Sequence, residues 1–231
     1  MKKKIVVLSG AGISAESGIP TFRDAGGLWE GHDVMEVATP QGWQSNPELV
    51  LEFYNQRRKA AWKAQPNAGH LGLVELEQYY DVVIVTQNVD SLHEKAGSSK
   101  VIHLHGELCK VRSSDDETLI YDIQDKEIKM GDLCDKGAQL RPHVVWFGEM
   151  VPMMEVAYNE VLTADIFVVV GTSLQVYPAA GLLYDVPQGS PIYIIDPGSP
   201  DYARQPNITV IKESATRGVP ILVAQLKEEA R

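Results

Sequence analysis

Two histidines in the run His103-Leu104-His105-Gly106 are the first residues that could carry out chemistry. Because they stand two positions apart, an extended backbone would present both imidazoles on one face. An imidazole titrates near neutral pH, which suits a general base, and Gly106 leaves room for a ligand beside His105. A structural role is the ordinary alternative. Zinc binding by His103, His105 and His93 is a third interpretation, but no His-Glu-x-x-His pattern or acidic cluster supports it.

Amide and carboxylate side chains are concentrated upstream, in the run Thr86-Gln87-Asn88-Val89-Asp90-Ser91-Leu92-His93. The run follows an apolar stretch and is typical of a turn from a strand into a helix. Asp90 or Ser91 could do no more than cap that helix. One cap does not require three polar side chains in four residues, so Gln87, Asn88 and Asp90 are candidate ligand-binding residues.

Small residues follow the first apolar run in a Gly-x-Gly-x-x-Ala pattern, Gly10-Ala11-Gly12-Ile13-Ser14-Ala15. This pattern allows the backbone to approach the pyrophosphate of a dinucleotide, although a plain tight turn is the alternative. An ordinary dinucleotide fold would continue into a full helix. Here Gly18 and Pro20 predict that the helix is cut short, and a loop with Phe22, Arg23 and Asp24 follows.

An arginine occupies an apolar position of a predicted helix that begins after Asn46, its expected N-cap, with Pro47 in its first turn. The buried face of this helix has the spacing i, i+3, i+4, i+7, and its members are Val50, Phe53, Tyr54, Arg57 and Ala61. A buried guanidinium needs an anion, so Arg57 predicts an anionic ligand. Alternatively, its stem packs and its charged head reaches water.

Two further runs have the character of extended chain, Arg141–Glu149 and Gly171–Pro178. Each could be a routine strand or loop. Two exposed extended edges could also hold a peptide between them by strand addition.

The elements that position these residues are four short apolar runs: Ile5–Leu8, Val82–Val85, Ile166–Val170 and Ile192–Ile195. They are apolar throughout, as expected for parallel strands covered on both faces. Helical segments lie between them, which predicts an α/β fold with a doubly wound parallel, Rossmann-like sheet.

Polar residues follow each of these runs, and ligands of such sheets bind at the carboxyl ends of the strands. Besides the two runs already described, Gly171-Thr172-Ser173 and Asp196-Pro197-Gly198 stand at strand ends. We therefore expect one assembled site. Asp196 is a candidate partner for a ribose hydroxyl, or else a turn residue before Pro197.

The domain organisation is predicted to be a single catalytic domain of residues 1–231 with two lobes. The large Rossmann-like lobe comprises approximately 1–24, 71–108 and 141–231. The small inserted lobe comprises approximately 25–70 and 109–140, segments that do not follow the α/β pattern.

Composition excludes several classes of protein. With 21 basic and 31 acidic residues, the net charge of −10 argues against a nucleic-acid binder. No stretch approaches the roughly 20 apolar residues of a membrane span. Two cysteines, Cys109 and Cys134, give no disulfide framework, so a cytoplasmic protein is expected.

Taken together, five motifs resemble the sirtuins, NAD-dependent protein-lysine deacylases. In the family's order they are Gly10–Ser14 with Gly18–Arg23, Thr86–His93, His103–Gly106, Val145–Glu149 and Gly171–Pro178. The Tyr54–Arg57 pair also resembles the bacterial class III type, which removes succinyl and malonyl groups.

The resemblance implies that NAD is consumed as a co-substrate: the acyl group of an acylated lysine is transferred to ADP-ribose and nicotinamide is released. The acyl oxygen would attack the nicotinamide ribose to give an alkylimidate. The implied catalytic residues are His105 as general base, with Asn88 and Gln87 positioning the ribose and a water. Asp90 would hold the nicotinamide amide.

The resemblance also implies the binding residues. Those for the cofactor are Gly10, Ala11, Gly12, Ser14, Ala15, Thr21, Phe22, Arg23, Gln87, Asn88, Asp90, Gly171, Thr172, Ser173 and Asp196. Those for the acylated substrate are Tyr54, Arg57, Val145, Phe147, Gly148, Glu149 and Val176. The implied partners are acylated-lysine proteins or peptides, and the oligomeric state stays open.

Two features depart from the family pattern. Most sirtuins carry a four-cysteine zinc ribbon after the catalytic histidine, whereas this segment has only Cys109 and Cys134, so we predict no structural zinc. These two cysteines with two other ligands are the weaker alternative. Asp196-Pro197-Gly198 stands where many sirtuins have an asparagine-centred turn. Two other functions remain to be weighed: mono-ADP-ribosyl transfer from NAD to a protein, and a non-catalytic NAD-sensing module.

Overall fold

The structure is a computed structural model that describes residues 2–21, 28–29, 31–203 and 205–230, with the backbone alone at 28–29. Two predicted cofactor residues, Phe22 and Arg23, lie outside the described residues.

Within the described residues the strands are β1 (Lys4–Ser9), β2 (Leu28–Trp29), β3 (His32–Asp33), β4 (Asp81–Thr86), β5 (Val101–His103), β6 (Gly106–Ser113), β7 (Ile120–Asp122), β8 (Leu140–Val144), β9 (Ile166–Val170), β10 (Ile192–Ile195) and β11 (Ile208–Ile211). The helices are α1 (Gly12–Ala15), α2 (Val34–Val37), α3 (Pro40–Ser45), α4 (Pro47–Lys63), α5 (Ala68–Leu76), α6 (Leu92–Ala96), α7 (Met154–Val161) and α8 (Ala215–Glu229), with a 3₁₀ helix at Ala179–Asp185.

A parallel sheet forms the centre of the molecule, with the strand order β11-β10-β9-β1-β4-β5 in the described part of the chain. The four predicted strands are confirmed as β1, β4, β9 and β10. Apolar clusters cover both faces: α5 and α8 pack on one, and α7 with the 3₁₀ helix packs on the other. The doubly wound α/β prediction is therefore confirmed.

The chain reverses direction across the sheet beside β1. From β1 it builds outward through β4 to β5, and it then returns to place β9 on the other side of β1. In sheets of this kind the crevice for ligands opens at such a switch point, outside the carboxyl ends of the strands. A ligand-binding site is therefore expected at the loops after β1 and β9.

A smaller antiparallel sheet, β7-β6-β8, lies apart from the parallel one within the described residues. Helix α4 packs against it through an apolar cluster that includes Phe53, Tyr54, Leu108 and Trp146. The helix starts as predicted, because the Asn46 side chain accepts a hydrogen bond from the backbone N–H of Leu49.

Two polar side chains of α4 fasten the small sheet and the loop that follows β7. Asn55 exchanges two hydrogen bonds with the backbone of Ile128, at 2.8 and 3.1 Å. Arg58, almost fully buried, donates to the carbonyls of Leu108 at 2.5 Å and Lys126 at 3.3 Å, and to Asn55 Oδ1 at 2.6 Å. These bonds join α4 to the small sheet and to the loop after β7.

Cys109 and Cys134 are free thiols. Cys109 donates to Glu107 at 3.9 Å and Cys134 to Ser113 at 3.4 Å. No group of three or more His, Cys, Asp or Glu side chains able to hold a metal ion occurs among the residues that the structure describes. Over the same residues, no helix has the length and apolar character needed to cross a membrane.

Candidate active site

The loops after β1 and β9 are in backbone contact, and glycines make that contact possible. A Cβ on Gly12 would lie 2.6 Å from the Cα of Gly171, and one on Gly10 would lie 2.7 Å from the Cβ of Thr172. The Gly12 N–H donates to the Gly171 carbonyl at 2.8 Å. The small residues of the first motif thus allow two strand ends to come together.

Helix α1 is a single turn that ends at Ala15, followed by Gly18 with φ of +85°. The predicted interruption of the helix is confirmed. Ala11, Gly12 and Ala15 are all partly exposed, so small groups border the space at the switch point. Thr21 is the last described residue before the gap and is also partly exposed.

Asn88, Ser14 and Asp90 form one hydrogen-bonded network at the carboxyl ends of β1 and β4. The Asn88 amide donates to the Gly10 carbonyl at 3.2 Å and to Ser14 Oγ at 3.1 Å. Ser14 in turn donates to Asp90 at 3.0 Å. Both N–H bonds of the Asn88 amide are thereby used inside the protein, which leaves its Oδ1 to accept a hydrogen bond from a ligand.

Asp90 combines the capping role with a second set of contacts. One carboxylate oxygen accepts from the backbone N–H of Leu92 at 3.0 Å, and the other accepts from Ser14. Burial raises the pKa of Asp90, although these two hydrogen bonds oppose the rise. Of the two residues that the sequence offered as a cap, Asp90 bonds the first residue of α6, whereas Ser91 occupies the N-cap position and makes no side-chain cap bond. The buried Asp90 carboxyl also faces the Ser14–Asn88 network.

His105 is held in one tautomer by the backbone. Its Nδ1 lies 3.0 Å from the carbonyl oxygen of Gln87, and because a carbonyl can only accept, Nδ1 carries the proton. Burial lowers the pKa of His105, partly offset by that hydrogen bond. The neutral ring therefore has an unprotonated Nε2, the state that a general base requires.

Gln87, Thr172 and Ser173 connect the β4 and β9 ends of the site. Gln87 Nε2 donates to Thr172 Oγ1 at 3.2 Å, which also accepts from the backbone N–H of Leu174 at 3.3 Å. The Ser173 carbonyl accepts from the N–H of Asp201 at 3.0 Å. Gly171 has φ of +65°, where a side chain would be strained.

The other two histidines of the zinc interpretation have protein partners. His103 lies 2.6 Å from Glu94 Oε1 and 3.2 Å from the Asn88 carbonyl. Burial lowers the pKa of His103, but the hydrogen bond and charge of Glu94 outweigh burial and raise it overall. His93 Nε2 lies 2.9 Å from Ser9 Oγ.

Asp196 follows β10 and closes a local turn. Its Oδ1 accepts from the backbone N–H of Gly198 at 2.7 Å. This is the turn role that the sequence left open as the alternative to ribose binding, and it occupies one of the two carboxylate oxygens.

Tyr54 and Arg57 lie side by side on the buried face of α4. Tyr54 has no exposed surface, and Arg57 is buried as well, with 7% of its surface exposed. The guanidinium carbon of Arg57 lies 5.5 Å from the ring centre of Phe53 and 6.0 Å from that of Tyr54. Burial raises the pKa of Tyr54 to about 12, so its hydroxyl stays protonated at neutral pH.

The segment Val145–Glu149 passes directly beside His105. The Val145 N–H donates to the His105 carbonyl at 2.9 Å, and the Phe147 N–H donates to the Ala38 carbonyl at 3.0 Å. Phe147 is exposed, and Gly148 has φ of +90°. Because the N–H groups of Val145 and Phe147 are already used, pairing with a peptide would depend on the carbonyl groups of this segment and on Gly148.

Glu149 and Val176 have contacts that the sequence did not predict. The Glu149 carboxylate accepts from Arg141 at 2.7 and 3.2 Å and from the backbone N–H of Trp146 at 2.8 Å. The half-buried Val176 offers its carbonyl to the N–H of Ala180 at 2.9 Å, at the start of the 3₁₀ helix.

Two polar residues at strand ends beneath the site, Ser9 and Thr86, were not among the predicted site residues. Ser9 Oγ donates to Thr86 Oγ1 at 2.8 Å, and the same Thr86 oxygen accepts from the backbone N–H of Asn88 at 3.0 Å. Serine and threonine directly after the apolar runs of these two strands were the available signal.

Comparison with known proteins identifies the family. The model of the Sir2 family matches residues 10–178. A protein of Helicobacter pylori (strain J99 / ATCC 700824) named NAD-dependent protein deacylase is 53% identical over 228 residues, covering 99% of this chain and 97% of that protein. A Bacteroides thetaiotaomicron protein of the same name is 54% identical over 222 residues, covering 94% and 95%. The chain belongs to the Sir2 family.

Solved structures agree with this assignment. A Sir2 homologue in complex with NAD has a TM-score of 0.86 and 40% identity, covering 100% of this chain and 91% of that one. A mutant Sir2 homologue in complex with ADP-ribose has a TM-score of 0.87 and 41% identity, covering 99% and 93%.

Proposed function

We infer that this chain is an NAD-dependent protein deacylase, which removes acyl groups from lysine side chains and consumes NAD. The observation that carries this inference is the geometry of His105, whose Nδ1 is held by the Gln87 carbonyl at 3.0 Å and whose pKa is lowered by burial. A base of this kind, beside a glycine-rich switch point, suits a reaction that binds a dinucleotide and withdraws a proton. NAD-binding alone would not require it.

The residues present fit NAD. Small groups at Ala11, Gly12 and Ala15 border the switch point, and the amide and carboxyl groups of Asn88 and Asp90 are buried beside it. NAD supplies the activated ribose to which the acyl group is transferred. The chain's own residues orient it: Asn88 would accept from a ribose hydroxyl, Asp90 would hold an amide, and His105 Nε2 would take the proton from a ribose hydroxyl.

We assign the acyl selectivity to Arg57 and propose a preference for acidic acyl chains such as succinyl and malonyl. Arg57 is a buried cation beside the rings of Phe53 and Tyr54. A carboxylate reaching it would form a charge-assisted hydrogen bond worth about 1.5–3 kcal/mol. That is a selectivity of roughly 10- to 150-fold.

The assignment is tested with acetyl-, succinyl- and malonyl-lysine peptides and NAD, using wild type and Arg57→Met. We expect Arg57→Met to lose succinyl and malonyl turnover by at least about tenfold while acetyl turnover is retained. The exposed neighbour Lys59 offers the matched control Lys59→Met, which should change none of the three rates. Equal loss on all three acyl chains would contradict the carboxylate contact.

Two neighbouring functions predict different products. A mono-ADP-ribosyltransferase would leave label from NAD on a protein target, whereas a deacylase releases it as acyl-ADP-ribose. A non-catalytic NAD sensor would retain its function in His105→Tyr, whereas a deacylase would lose turnover.

We further propose that residues 1–231 act as one catalytic domain with the two lobes expected from the sequence. The name of its relatives, NAD-dependent protein deacylase, supports acylated proteins as its substrates, and the two free thiols support a cytoplasmic location.

A further inference from the structure

A buried ion pair fixes the segment Val145–Glu149 from within. Arg141 binds the Glu149 carboxylate through two nitrogens, at 2.7 and 3.2 Å, and also donates to the Val144 carbonyl at 3.1 Å. Arg112 approaches the same carboxylate at 3.4 Å. Both guanidinium groups are buried, so this is a charge-assisted, geometrically specific clamp and not a solvated surface pair.

The clamp holds Trp146 on two sides. The Glu149 carboxylate accepts from the Trp146 backbone N–H at 2.8 Å, while the Arg141 guanidinium carbon lies 3.4 Å from the centre of its ring. The indole is buried and therefore has one position.

The held indole contacts the acyl-selectivity pair. Trp146 Nε1 donates to the hydroxyl of Tyr54 at 3.1 Å, across 92 residues of sequence. An indole N–H can only donate, so the phenol oxygen accepts and the Tyr54 ring is fixed through its hydroxyl. That ring borders Arg57, and so does the neighbouring Phe53 ring, whose centre lies 5.1 Å from that of Tyr54.

We propose that Glu149 and Arg141 are positioning residues for acyl selectivity, acting through Trp146 and Tyr54 on Arg57. Their carboxylate and guanidinium place the indole, the indole N–H places the phenol ring, and the phenol ring sets where Arg57 presents its charge. The inference rests on the proposed preference for acidic acyl chains. It changes the expected role of Glu149, whose carboxylate acts inside the protein and not on the substrate.

The test compares selectivity, binding and stability in Trp146→Phe and Glu149→Gln. Trp146→Phe keeps an aromatic ring but removes one neutral hydrogen bond, so the succinyl-to-acetyl ratio of kcat/KM should fall by roughly 2- to 10-fold. Glu149→Gln removes a charge-assisted clamp, so the fall should be about tenfold or more, mainly through a higher KM for succinyl peptide. The Kd for ADP-ribose should not change in either variant.

Two substitutions of the same chemistry serve as controls. Trp62→Phe alters an indole that lies beside Lys95 on another surface, and Glu75→Gln breaks a pair with Lys227 between α5 and α8. Neither should change the acyl ratio.

A double-mutant cycle tests the connection itself. If Trp146 acts through Tyr54, then Tyr54→Phe with Trp146→Phe should lower the ratio no further than the larger single change. Additive losses would overturn the proposal. So would equal losses on acetyl and succinyl peptides that follow the loss of Tm, because they would indicate a structural role alone.

Failure of the deacylase proposal is distinguishable from failure of this one. Wild type that turns over acetyl-lysine but shows no preference among acyl chains overturns the positioning proposal and leaves the deacylase standing. Wild type that turns over no acyl peptide overturns the deacylase. In that case, fluorescence anisotropy measures the binding of labelled succinyl and acetyl peptides directly: loss of a binding preference in Trp146→Phe supports the positioning proposal, and an unchanged preference overturns it.

Discussion

Replacement of Arg58 by methionine should destabilise the protein strongly, because Arg58 fastens the small sheet where metal is expected in most sirtuins. The guanidinium donates to the Leu108 and Lys126 carbonyls and to Asn55. Burial lowers its pKa to about 10, so it is charged at neutral pH. Methionine would fill similar space but leave the two carbonyls without this donor.

The magnitude follows from the lost partners. Each buried acceptor left unsatisfied costs about 1–3 kcal/mol, and removing the guanidinium recovers part of the cost of burying its charge. We therefore expect a net loss of about 2–5 kcal/mol in the free energy of unfolding. For a chain of this size that corresponds to a fall in Tm of about 4–20 °C.

The assay is thermal unfolding with the adjacent Lys59→Met as control. Lys59 lies on the exposed side of the same helix and forms an ion pair with Glu127. Removal of the Lys59 charge should leave Tm close to that of wild type. If Arg58→Met unfolds at the wild-type temperature, Arg58 does not hold the small sheet and the reasoning from its hydrogen bonds is wrong.

Three further outcomes are expected. For the wild-type enzyme, kcat/KM should stay constant as the pH falls from neutral and should decrease only below the usual histidine pKa of about 6.5. The reason is that burial lowers the pKa of His105 and that the neutral ring is the active form. A decrease of kcat/KM already above that pH would contradict the assignment of His105 as the base. Gly12→Ala places a Cβ 2.6 Å from the Cα of Gly171. This substitution should lower the free energy of unfolding by about 1–3 kcal/mol and raise the KM for NAD. Wild-type values for both quantities would show that the loops can separate freely. Washing with a chelator should leave Tm unchanged, and stoichiometric zinc retained after the wash would refute the prediction of no structural metal.

The parallel sheet could be predicted because its signal is local. Ile5–Leu8 and Ile166–Val170 are continuous apolar runs, and a strand buried on both faces produces that pattern. Helix α4 was recognisable for a similar reason: its apolar face and its Asn46 cap are close in sequence.

The interior polar contacts could not be predicted, because they join residues far apart in sequence. Trp146 and Tyr54 are 92 residues apart, and Arg58 and Leu108 are 50 apart. Glu149 shows the consequence. From its place in a Gly-Glu turn, Glu149 was predicted to contact the substrate. In the structure two buried arginines bind its carboxylate.

The most direct test of the central claim is product analysis with an acylated-lysine peptide and NAD. Wild type should release nicotinamide and form free lysine and acyl-ADP-ribose in equal amounts, while His105→Tyr should still bind ADP-ribose but form neither free lysine nor acyl-ADP-ribose. Peptide deacylation without NAD, or undiminished product formation by His105→Tyr, would contradict the account.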